Sequence, residues 1–194
     1  EDSRMLDFCT PVIFASSKTM LFLKKQFNSS INFNDINQID QVVFGRVNVL
    51  NCWKEPVTID FGKEDFKIGE YAIKSLQEAT KALKNDAIDV LVTAPINKHN
   101  IQSEEFNFPG HTDYLAQELG GESLMFMVTD SLRVGLLTDH VPVKDVALKI
   151  SSELIEKICV LSLLPKSKNK SRFTKTQLSC LMLYITEMNN KNIE

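Results

Sequence analysis

Three short segments hold the residues whose types and spacing could do chemistry: Thr93-Ala94-Pro95-Ile96-Asn97-Lys98, Phe108-Pro109-Gly110-His111-Thr112-Asp113 and Thr138-Asp139-His140-Val141-Pro142. In the second, Pro109-Gly110 makes a tight turn, and Thr112 with Asp113 can cap a helix over YLAQEL whose N–H groups attract a phosphate or carboxylate. His111 stands within reach of the same anion; the competing reading is a capped turn with an incidental histidine. His140 suits a metal ligand or an acid/base group, against a satisfied core or surface histidine. Lys98 suits an anionic substrate, or a base if desolvated, against a solvated lysine; His99 beside it reads as surface. No G-x-G-x-x-G, Walker loop, nucleophile elbow or HExxH occurs, so no motif alone fixes a reaction.

The elements that must position these residues alternate between two periods. PVIFA at 11–15 reads as a strand, and Ser17 as the N-cap of a helix over KTMLFLKKQF. Residues 28–62 read as a loop-rich β region with strands in VVFGRVNVL and VTIDF. From Ile68, residues Ala72, Ile73, Leu76, Ala79, Thr80 and Leu83 fall on one helical stripe. Asn85-Asp86 breaks that helix, and AIDVLVTAP then reads as a parallel strand buried on both faces. ESLMFMVT and RVGLLT read as strands, and VKDVALKISSELIEKICVLSLL as a helix. The fold class expected is α/β, an open mixed sheet with flanking helices. Ligands of such sheets bind beyond the carboxyl ends of the strands, where the three segments fall.

Composition sets the outer limits. A chain of 194 residues, 43% hydrophobic and 24% charged, can bury a sizeable core, and no apolar run approaches the length of about 18 that spans a membrane. The net charge of −3 argues against nucleic acid and anionic membranes as partners. From Lys157 onward seven Lys/Arg and two Glu give +5, which leaves −8 for residues 1–156. KSKNKSR at 166–172 and the segment around it read as a solvated or poorly ordered basic tail. EDSRMLDF lacks the features of a secretory signal, and Cys9, Cys52, Cys159 and Cys180 form no C-x-x-C pair. A cytoplasmic protein with reduced, buried cysteines is expected.

Taken in order, DVLVTAPINKHNI, FPGHTDYLA and LMFMVTDSLRVGLLTDHVPVKDVA resemble the 4-hydroxythreonine-4-phosphate dehydrogenases of pyridoxal phosphate biosynthesis. The resemblance runs from Met5 to Glu156 and is densest over 86–150. It implies a two-subdomain fold similar to the isocitrate and isopropylmalate dehydrogenases, a homodimer, NAD, and a divalent ion such as Zn, Mg or Co. The reaction it implies is oxidation of the 3-hydroxyl of 4-phosphooxy-threonine followed by loss of carbon dioxide. Carried over by motif, His111 and Thr112 bind the phosphorylated amino-acid substrate and His140 is one of three metal histidines; the catalytic residues stay unassigned, with Lys98 a candidate from its position alone.

The departures matter as much. The family's opening strand with its G-D-x-x-G-I-G loop, its N-P-H-A-G segment and two further metal histidines have no counterpart here, and no histidine follows His140. The expectation is a family chain truncated at both ends, a partial domain over 1–156 and a divergent tail over 157–194, inactive alone. The alternatives are a non-catalytic remnant that binds a phosphorylated small molecule, or a related dehydrogenase acting on another phosphorylated hydroxy acid.

Overall fold

The computed structural model describes residues 3–97, 99–101, 106–108, 110–121, 123–129, 132–163 and 181–184. It divides into two units, Glu1–Pro109 and Gly110–Glu194.

In the first unit, β-branched and aromatic residues in two short runs make strands that pair side by side. β1 (Val12–Ala15) lies parallel to β3 (Asn48–Asn51), and β2 (Asn34–Ile36) lies parallel on the other side of β3. Val49 of the central strand is completely buried. Joining parallel strands requires a crossover, which α1 (Ser17–Gln26) supplies between β1 and β2. The helix is capped one residue earlier than expected, by Ser16, whose side chain bonds none of the first-turn N–H groups. Asn51, at the end of β3, does that work: its Oδ1 accepts the Ser17 N–H at 2.8 Å, and its amide donates to the Ile36 carbonyl at 3.2 Å and to the Asp35 carboxylate.

The helix predicted from period 3.6 is α2 (Phe66–Lys84), with Leu76, Ala79 and Thr80 buried along its stripe. Asp65 caps it by accepting the Lys67 N–H at 2.8 Å, and the Ser75 hydroxyl donates to the Phe14 carbonyl of β1.

Three expected strands of the first unit are absent or shortened. Within VVFGRVNVL only Asn48–Asn51 is strand, because the fully buried Asn48 side chain takes the backbone bonds of the residues before it. Its amide donates to the carbonyls of Arg46 at 2.8 Å and Val43 at 3.1 Å, and its Oδ1 accepts the Val43 N–H at 2.9 Å. VTIDF forms no strand; Phe61 instead packs edge-on against Phe27, with ring centres 5.3 Å apart. AIDVLVTAP, expected as a buried strand, is irregular, with Val90 69% and Val92 85% exposed. Apolar β-branched residues favour a pleated surface only when neighbours cover it, and none of the described residues pairs with this run.

The second unit begins with α3 (His111–Leu119), which ends on Gly120 in the left-handed conformation, φ 66. Its sheet is separate from the first, so two three-stranded sheets stand where one open sheet was expected. β4 (Leu124–Val128) is central, with β5 (Arg133–Gly135) antiparallel and β6 (Leu181–Tyr184) parallel to it. A side chain at Gly135 would meet Phe126 at 2.9 Å and Ile158 at 3.1 Å, both buried.

The long helix expected after His140 is broken. α4 (Val146–Lys149) stops at Ile150, whose backbone is extended, and α5 (Ser152–Leu163) restarts where the Ser151 hydroxyl accepts the Leu154 N–H at 3.2 Å. Residue 157, the expected start of the tail, lies inside α5, and LMLY of that tail is β6. KSKNKSR and Cys180 lie outside the described residues. Cys9 and Cys159 are exposed, which corrects the expectation of buried thiols; a sulfur of either side chain has no core position to fill there. No helix among the described residues is long and apolar enough to cross a membrane.

Candidate functional site

His111 is the first residue of α3, and Gly110 occupies the N-cap with extended backbone, so the helix starts two residues before the expected Asp113. Thr112 and Asp113 therefore belong to the first turn instead of capping it. The reason is local: the Gly110 carbonyl already accepts the Tyr114 N–H at 3.4 Å, and burial of Tyr114 and Leu115 fixes the helix rotation. That rotation turns His111 inward, to 8% exposure. Burial penalises the charged ring and pulls its pKa below the ordinary histidine value. A neutral imidazole, able to donate from one nitrogen and accept at the other, thus sits beside the half-buried Thr112 at the positive end of a helix.

Lys98 and Pro109 lie outside the described residues. The residues around Lys98 form a tight turn: Asn97 Oδ1 accepts the N–H groups of His99 at 2.9 Å and Asn100 at 3.2 Å, and its amide donates to Glu64 at 3.3 Å. His99 is exposed, as expected. Asn97, named in the sequence only as part of its segment, shapes this turn; its signal is an Asn two residues after Pro95, poised to bond backbone N–H groups ahead of it.

His140 lies on the surface with its side chain 81% exposed and its backbone in the left-handed region, φ 51. Its Nε2 is 3.6 Å from Asp139 Oδ1. Among the described residues no hydrogen bond or ion pair joins it to His111, and no group of three or more His, Cys, Asp or Glu could hold a metal ion. A catalytic divalent ion takes about three protein ligands, so the two donors at 139–140 do not fit one.

Comparison with known proteins gives the family. The family model of the pyridoxal phosphate biosynthetic protein PdxA matches residues 7–181, well past the 156 at which the motif resemblance fades. A 4-hydroxythreonine-4-phosphate dehydrogenase of Bacteroides thetaiotaomicron is 41% identical over 157 residues, 80% of this chain and 43% of the relative. A D-threonate 4-phosphate dehydrogenase of Cupriavidus necator is 26% identical over 152 residues, 77% of this chain and 46% of the relative. The chain thus spans less than half the length of these two relatives. The crystal structure of a 4-hydroxythreonine-4-phosphate dehydrogenase from Burkholderia phymatum superposes with a TM-score of 0.70 at 22% identity, over 82% of this chain and 51% of that one, a likeness of fold. The match of the family model over most of the chain, residues 7–181, establishes that the chain belongs to the PdxA family of pyridoxal phosphate biosynthetic proteins.

Proposed function

We propose that the chain carries the phosphate-recognition part of an NAD-dependent 4-hydroxythreonine-4-phosphate dehydrogenase of vitamin B6 biosynthesis, and that it does not turn over substrate alone. The observation that supports this most is the first turn of α3, where a buried neutral His111 and Thr112 stand at a helix N-terminus. There the helix end attracts the phosphate of 4-phosphooxy-threonine, and the imidazole and hydroxyl add directed hydrogen bonds. NAD, when bound, would accept the hydride from the 3-hydroxyl carbon; among the described residues the donors at 139–140 do not suffice for a metal ion. On the same reading the protein works in the cytoplasm as a homodimer with an isocitrate dehydrogenase-like fold.

The test has two arms. NADH formation by the purified chain with 4-phosphooxy-L-threonine, NAD and a divalent metal should stay at background; turnover on the order of 1 per second would overturn inactivity. Binding should persist weakly, at roughly millimolar affinity or about 4 kcal/mol. Chemical-shift changes caused by the substrate should vanish in the His111→Ala/Thr112→Ala double variant and survive in His140→Ala. Shifts that persist in the double variant would overturn the assignment of this turn.

The D-threonate 4-phosphate dehydrogenase relative favours a second reading, a related phosphorylated hydroxy acid as substrate. His111 and Thr112 address the phosphate and leave the rest of the carbon skeleton unread. Equal shifts with both compounds would support that reading, and a clear preference for the amino acid would remove it.

A further inference from the structure

Four buried polar side-chain atoms among the described residues have no hydrogen-bond partner, and three of them, Ser16 Oγ, Thr19 Oγ1 and Trp53 Nε1, belong to residues that follow the carboxyl ends of the parallel strands β1 and β3. Ser16 follows β1 directly, Thr19 is in the first turn of α1, and Trp53 comes two residues after β3. The two strand ends stay together past the sheet, because the Cys52 N–H donates to the Ala15 carbonyl at 2.7 Å and Lys18 Nζ donates to the Lys54 carbonyl at 2.8 Å. The three residues are 1%, 8% and 7% exposed, and each orphaned atom can donate a hydrogen. Buried donors without an acceptor are costly, and three of them beside a helix N-terminus call for an anion.

The backbone adds to the demand. Ser16 holds the N-cap, where a hydroxyl stands over the first-turn N–H groups, yet it bonds none of them. The Ser17 N–H is taken by Asn51, which leaves those of Lys18 and Thr19 without a side-chain cap. Lysines stand close by: Lys18 and Lys74 both act on Glu55, whose carboxylate accepts the Lys54 N–H at 3.1 Å, while Asp35 is taken by the Asn51 amide. The position is also where open parallel sheets take ligands.

We propose that the carboxyl ends of β1 and β3 form a second anion site, in which a phosphate group is held by the Lys18 and Thr19 N–H groups and the Ser16 and Thr19 hydroxyls, with Lys18 and Lys54 supplying charge. The site lies in the unit of residues 1–109, apart in the chain from His111 and Thr112, and does not depend on their role.

Trp53 is the chain's single tryptophan, so its indole N–H is an unambiguous reporter. The isotope-labelled chain is titrated with inorganic phosphate against sodium chloride of matched ionic strength. The Lys18 and Thr19 amides and the Trp53 indole should move along one saturable curve, absent with chloride. Ser16→Ala/Thr19→Val should weaken that curve at least fivefold with the melting temperature unchanged or raised, since neither hydroxyl has a protein partner to lose. Lys18→Gln, an exposed change, should weaken it as well and serves if the double variant does not fold. No saturable shift, equal shifts with chloride, or an unaltered curve in the variants would overturn the site. Shifts confined to His111–Asp113 would overturn it while leaving the α3 turn intact, whereas loss of the α3 response alone would leave this curve in place.

Discussion

The backbone of Asn100 rests directly on Gly69: a Cβ built on that glycine would lie 1.9 Å from the Asn100 carbonyl oxygen and 2.5 Å from its carbonyl carbon. The turn at His99–Asn100 is therefore seated on the first turns of α2, and only hydrogen leaves room for it.

Gly69→Ala should destabilise the chain despite the better helix former. Alanine gains about 1 kcal/mol of helix propensity, but displacing backbone costs about 1–3 kcal/mol or more, and the clash is with backbone that cannot rotate away. Urea unfolding should show a lowered midpoint; a raised midpoint would mean the turn is not seated there.

Asn48→Ala should cost about 1–3 kcal/mol, because it removes a completely buried amide that bonds the Val43 N–H and the carbonyls of Val43 and Arg46. Asn32→Ala, at an exposed asparagine that only accepts from Lys24, should stay within about 0.5 kcal/mol. Equal effects at the two positions would contradict the role given to Asn48.

Burial lowers the His111 pKa, so the unfolded chain binds the proton more readily than the folded one. The stability this contributes is complete above the ordinary value of 6.5 and is lost as pH falls through the lower folded value. Between pH 7.5 and pH 5 the wild type should lose more unfolding free energy than His111→Asn. Parallel pH curves would show that the imidazole is not held neutral.

Burial, with Glu78 adding to it, pushes the Cys52 thiol up to about 12. It should carry roughly a thousandfold less thiolate than an ordinary cysteine and stay unalkylated at pH 8 while the exposed Cys9 reacts. Peptide mass mapping after brief iodoacetamide treatment checks this, and urea should erase the difference.

What the sequence made legible was what neighbours along the chain decide. The stripe from Ala72 to Leu83 is α2, and PVIFA followed by serine is a strand and a helix, since spacing and caps act within a few residues. The run from Ala87 to Pro95 misled because apolar content signals a strand without naming its partner. Asn48 misled in the opposite sense, as one buried amide captured backbone groups that β-branched neighbours would have placed in a ladder. In the site, Pro109-Gly110-His111-Thr112 announced a helix start, displaced by two residues once Tyr114 and Leu115 set the rotation. Nothing in the spacing of His140 foretold its exposure, which tertiary surroundings decide.

The irregular course of residues 90–96 also sets a timescale. Amide hydrogens in the middle of β3, flanked by two strands, exchange with solvent only when the sheet opens. Those of Val92 and its neighbours, outside any ladder, exchange without waiting for it. In heavy water the stretch leading into the Asn97 turn should take up deuterium within the first moments, while Val49 and Leu50 hold their protons, so residues 90–96 open without disturbing the sheet.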